Sequence, residues 1–119
     1  MNPTNQATED AAPGAATTSP EPRQLSVVRV ERGGPWDWSA ELREQRQWTE
    51  HANFMNGLVD QGLILLGGPL AGDKETLHVV TTIDEDEIRA RFGEDPWAKN
   101  GMLRIVSIER WTILLDADE

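Results

Sequence analysis

Two helical stripes set among four short apolar runs predict an α+β fold over residues 24–119. The runs are Leu25–Glu31, Leu63–Leu66, Thr76–Thr82 and Met102–Leu115. One helix falls between the first and second runs, the other between the third and fourth. The order β-α-β-β-α-β is the ferredoxin-like arrangement, a four-stranded antiparallel sheet with two helices on one face.

Each element has a local cause. Leu25–Glu31 is short and β-branched, and Gly33-Gly34-Pro35 ends it. Ser39 is an N-cap for a short helix over Ala40–Gln45. Trp48, Ala52, Met55, Leu58 and Val59 recur at steps of three and four, which predicts a helix over Trp48–Gln61. Gly62 follows as its C′ residue. Leu63–Leu66 is too short for a helix and suits a buried strand, broken by Gly67-Gly68-Pro69. Ala71–Lys74 reads as a hairpin tip, and Thr76–Thr82 returns from it. Asp84 and Glu87 have capping-box spacing at the head of a second helix, whose apolar contacts are Ile88 and Phe92 and whose end is Gly93. Asp95-Pro96-Trp97 opens a short turn. Met102–Leu115 is a final strand or strand pair.

Residues 1–23 hold four of the seven prolines and no large apolar residue after Met1. Such a segment cannot offset its ordering entropy by burial, and it reads as a disordered tail. It has neither a basic region nor an apolar core, so it does not read as a secretory signal, and a cytoplasmic location is expected. With three acids and one arginine in the tail, most of the net charge of −10 belongs to the domain. That acidity argues against nucleic acid and anionic membranes as partners. The absence of cysteine excludes disulfides, thiolate catalysis, iron–sulfur clusters and cysteine zinc sites. Two histidines exclude a His-rich metal cage. Neither a metal nor an organic cofactor is expected.

The strands are apolar on both sides. In Val27–Val30 and Leu63–Leu66 apolar residues point to both sides, because successive side chains alternate, and Val79 and Val80, and Ile105, Val106 and Ile108, show the same. Two helices cover one face only. A second copy of the sheet is the simplest cover for the other, which predicts a homodimer closed through sheet faces.

Few residues carry chemistry. His51 flanks the stripe of the main helix. It is either a half-buried helix histidine or a general acid or base, and the second role needs an orienting carboxylate and a cavity. Asp95 is the first candidate partner, although Asp before Pro is also a common helix start. Asp37 and Asp73 are alternatives, Asp73 with the character of a turn residue. His78 lies in a strand, read as partly exposed, where it can border the cavity or the dimer interface. Trp36 and Trp38, in a Gly/Pro loop, are candidate pocket walls, with Trp97. Gly67-Gly68-Pro69 lacks the frame of a phosphate loop and reads as a close-approach bend.

The ordered series His51-x-x-Phe54, Leu58, Gly62, Gly68-Pro69, Asp95-Pro96-Trp97 and Gly101 resembles the YciI-like (YCII-related domain) family from about Leu25 to Leu115. The resemblance implies a ferredoxin-like dimeric α/β barrel, related in shape to muconolactone isomerase. It also implies a His–Asp centre in a cleft near the dimer interface. His51 matches the family's helix histidine and Asp95 its Asp-Pro-aromatic motif, with Trp97 where Phe or Tyr is more usual. The Trp36-Asp37-Trp38 insertion is not found in the shorter members. One known type eliminates HCl from a chlorinated hydroxyquinol.

Two functions follow. The first is a cofactor-independent enzyme in which His51 and Asp95 perform acid/base chemistry on a small molecule, in an elimination, isomerisation or ring opening. Its substrate-binding residues would be Trp36, Trp38, Gly68, Pro69, His78 and Trp97. The second is a non-catalytic dimeric module that binds a metabolite or supports another protein. A His51 nitrogen bonded to a carboxylate and facing a cavity separates the first from the second.

Overall fold

The structure, a computed structural model, describes residues 22–117. The proposed tail lies outside them except for its last two residues, and Arg23 already belongs to the first strand. Gln24–Trp111 is one compact unit. A second unit includes residues 22–23 and 112–117, where Arg23 lies 3.4 Å from Asp116.

The elements are β1 (Arg23–Arg32), a 3₁₀ turn (Leu42–Glu44), α1 (Trp48–Asp60), β2 (Ile64–Pro69), β3 (Glu75–Val80), α2 (Glu85–Phe92), α3 (Pro96–Lys99) and β4 (Leu103–Ile113). The strands form one antiparallel sheet in the order β2-β3-β1-β4, compatible with the expected ferredoxin-like fold.

Register fixes which residues face the helices. Val28 lies opposite His78, Ser26 opposite Val80 and Val30 opposite Thr76. Residues opposite one another in a ladder share a face. Val28, Val30, Ile64 and Val80 meet Leu58 of α1 and Ile88 and Phe92 of α2 in the main core. The other face carries Val27 and Leu77 opposite Val79 and Arg29, none fully buried, with Leu66 and Val106 exposed. At one end of that face Glu31 stands opposite Glu75. The like charges are offset by Arg104 on Glu31 and Arg29 on Glu75, the latter at 3.1 Å.

Local causes act as expected at most element ends. Gly62, at φ 81°, reverses the chain after α1 and lets Leu63 N donate to Leu58 O. Asp84 caps α2, accepting from the amides of Asp86 and Glu87, while the Glu87 carboxylate accepts from the Thr82 hydroxyl.

Three expectations need correction. Ala40–Gln45 is not a helix capped by Ser39. The buried Gln45 side chain donates to Asp37 O and Ala40 O, which holds the loop as a loop and leaves only the 3₁₀ turn. Gly67-Gly68-Pro69 does not break the second strand but continues it, paired with His78, Leu77 and Thr76. Proline is tolerated there because β2 is an edge strand, where a missing N–H costs no ladder bond. The last strand stops at Ile113, before Leu115.

Candidate functional site

The site begins with a cap. Asp95 precedes Pro96, which favours an extended backbone at Asp95 and supplies a preset first residue of α3. The Asp95 Oδ1 accepts from Trp97 N at 3.1 Å. The same carboxylate, almost wholly buried, meets His51 of α1. His51 Nδ1 lies 2.8 Å from one oxygen and 2.9 Å from the other. Capping and pairing are therefore both present at Asp95.

The imidazole is fixed in plane as well as in direction. It stacks on Trp97 at 3.8 Å between ring centres and 9° between planes. Trp97 is itself immobilised: its Nε1 donates to Arg46 O at 2.6 Å, and Trp36 meets it edge-on at 5.1 Å. Trp36, Trp97 and Met102 form a second small core, with Trp48 packed on it.

With Nδ1 committed to Asp95, Nε2 is the free nitrogen of His51, without a hydrogen bond among the described residues. The side chain borders a cavity of about 290 Å³ between the sheet, α1 and the Trp36 loop. That volume is at the small end for ligand sites and suits a molecule of one ring. Trp36, Trp48, Gly68, Pro69, His78 and Trp97 line it, with Arg32 and Thr76. A second cavity, of about 320 Å³, shares Met55, His78 and Leu103 with the first and is bordered by Asp95 but not by His51.

His78 departs from its expected exposure. It is buried, with its ring edge-on to Phe92 at 5.3 Å, and its Nδ1 has no hydrogen-bond partner. Burial pushes its pKa down to about 4; His51 adds to the depression and Asp95 opposes it. The ring is therefore neutral near pH 7. It leans across β2 at Gly67, where an added Cβ would come within 2.6 Å of His78 Cδ2. Gly67 is thus explained by the ring that covers it rather than by a bend.

Of the three candidate aspartates, Asp95 alone meets His51. Asp37 accepts from Ser39 N and Oγ, which lower its pKa, and Asp73 sits in the β2–β3 turn at φ 60°. Trp38, expected as a pocket wall, is 57% exposed and lies outside the lining of both cavities. Arg32 escaped the sequence reading. It continues the helix-facing alternation of Ser26, Val28 and Val30, and this is the signal that locates it. Among the described residues no group of three or more His, Asp or Glu side chains could hold a metal ion, and no helix is long and apolar enough to cross a membrane.

The fold is shared with a solved dehydrochlorinase. That protein is 5-chloro-2-hydroxyhydroquinone dehydrochlorinase from Burkholderia phenoliruptrix AC1100, in complex with 2,5-dihydroxybenzoquinone. The TM-score is 0.54 at 21% identity, and the match covers 75% of this chain and 93% of that one. The likeness is one of fold alone. No family model matches the chain, nor does any curated protein.

Proposed function

We propose that this chain is a cofactor-independent small-molecule enzyme of the YciI-like type, with His51 and Asp95 as its acid/base centre. One observation carries the reading: a buried carboxylate holds one nitrogen of an imidazole whose side chain borders a cavity. In the neutral ring the Nδ1–H donates to Asp95, so Nε2 has the lone pair. A substrate C–H or O–H proton passes to Nε2, and the electron pair it leaves expels a leaving group or shifts a double bond. Asp95 stabilises the imidazolium, which then returns its proton to the leaving group, to another carbon or to water. Elimination, isomerisation and ring opening all fit this sequence. The aromatic lining suits a small apolar substrate, with Gly68 and Pro69 forming the β2 side of its berth. The dehydrochlorinase that shares the fold makes HCl elimination the first reaction to try.

The test is a turnover screen of small cyclic compounds, chlorinated hydroxyquinols among them, with His51→Ala beside the parent. Loss of the base should slow every hit by ~10²–10⁴-fold. Equal turnover by both proteins, with folding of the variant checked by thermal unfolding, removes the role of His51.

The homodimer belongs to the same proposal. The sheet face bearing Val27, Leu66, Leu77, Val79 and Val106 is the surface it would bury. Sedimentation at micromolar concentration should give a dimer for the parent and a monomer for Leu66→Glu. Leu66 is 71% exposed in the single chain, so the change spares the fold, while a carboxylate buried in the interface costs several kcal/mol. A monomeric parent removes the dimer.

A further inference from the structure

Among the described residues two buried side-chain nitrogens lack a hydrogen bond: Arg32 Nε and His78 Nδ1. Orphaned buried polar atoms are uncommon in folded proteins, and each asks for a reason. These two belong to side chains that line the same cavity, the one bordered by His51.

Among the described residues Arg23, Arg29, Arg89, Arg91 and Arg104 each have a carboxylate within ion-pair distance, whereas Arg32, Arg43, Arg46 and Arg110 have none, and of these four Arg32 is the one that lines the cavity. Its Nη1 donates to the Asp73 carbonyl at 2.6 Å, and its guanidinium lies 4.4 Å above the centre of the Trp36 ring. Backbone carbonyl and indole face orient the fork without neutralising it. The Asp73 carboxylate exerts an attraction but forms no ion pair with it. His78, neutral and with both nitrogens free of partners, adds one N–H donor and one lone pair. Both orphaned nitrogens are recessed behind the cavity wall, where bulk water does not reach.

We propose that Arg32 and His78 form an oxyanion-binding edge of the cavity, and that its ligand is a small planar molecule bearing one ionised oxygen group, a carboxylate or a ring-borne oxide. The proposal rests on the reading of His51 only in so far as it names the substrate class of that site; the binding claim stands by itself. The chemistry requires it in one respect. A chain of net charge −10 repels anions, so an anionic ligand needs a local cation that no carboxylate has already taken. The apolar lining then takes the ring of the ligand, and Arg32 sets which end carries the charge.

Calorimetric titration with two matched pairs tests this: benzoate against benzamide, and 4-nitrophenolate against 4-nitroanisole, at low salt and a pH that ionises both anions. In the parent, at least one ionised member should bind on the order of ten- to a hundredfold more tightly than its neutral partner, as a charge-assisted hydrogen bond supplies. Benzoate alone preferred identifies the group as a carboxylate, and 4-nitrophenolate alone preferred identifies it as a ring oxide. Arg32→Gln should abolish the preference and leave the neutral members within about twofold, while Arg32→Lys should restore part of it. Equal affinity within both pairs in the parent, or no binding of any of the four, overturns the proposal without recourse to a variant. So does a preference that survives Arg32→Gln. Failures of the two proposals are distinguishable. A chain that prefers the anions but turns over nothing keeps this edge and loses its catalytic reading. A chain whose turnover depends on His51 but which treats both members alike loses the edge alone.

Discussion

Asp95→Asn should lower turnover by ~10²–10⁴-fold while leaving the sheet folded. The two duties of Asp95 are separable by this one change. Asparagine is as good an N-cap as aspartate, so the bond from Trp97 N, and with it the start of α3, survives. The charge does not survive. If the amide NH₂ turns toward His51, it can donate only to an unprotonated Nδ1. The ring proton then moves to Nε2, and that nitrogen loses its lone pair. If the amide oxygen turns that way instead, the tautomer holds but the imidazolium is no longer stabilised by a buried anion. Either outcome slows the reaction. The tautomer itself is readable without a substrate, from the ¹⁵N shifts of the His51 ring in the parent and the variant. Turnover within about twofold of the parent, in a variant of unchanged thermal stability, would remove Asp95 from the mechanism.

The largest stability effect should come from Trp97→Ala, at about 3–5 kcal/mol. Trp97 is 1% exposed and joins Trp36, Trp48, His51 and Met102. Its removal opens a cavity and also strands the Arg46 carbonyl, whose donor was the indole N–H. Domains of this size have only about 5–15 kcal/mol of total stability, so the variant should melt far below the parent, or fail to fold at elevated temperature. Trp97→Phe keeps much of the packing and loses the N–H, and it should lie between the two. Urea denaturation measures all three. A loss below about 1 kcal/mol for Trp97→Ala would show that the second small core is not what holds the Trp36 loop and α3 in place.

What the sequence made legible was mostly local. The periodicity of Trp48, Met55 and Leu58 sets α1, and Asp-Pro at residues 95–96 announces the start of α3 without help from the rest of the chain. His51 and Asp95 are legible one at a time, and their pairing is an expectation with Asp37 and Asp73 as alternatives; no local pattern decides among them, because His51 and Asp95 stand 44 positions apart and are joined only by the packing of α1 against α3. Residues 40–45 misled because a competent N-cap, Ser39, precedes them. The competitor was a side chain, Gln45, whose hydrogen bonds to the loop are invisible in any local pattern. His78 misled for a related reason. Its burial depends on a glycine in the neighbouring strand, and the register that brings Gly67 opposite is a property of the folded sheet. Arg32 was missed because a charged residue at a strand end is usually solvated.

Gly67 has one more consequence. The volume a methyl group would occupy there is held by an imidazole from the next strand. Positions 67 and 78 thus share a single parcel of space, and whichever residue takes it excludes the other. Changing the edge strand at that point amounts to editing the floor of the cavity at one remove, so the shape of the berth is written in part by a residue that has no side chain.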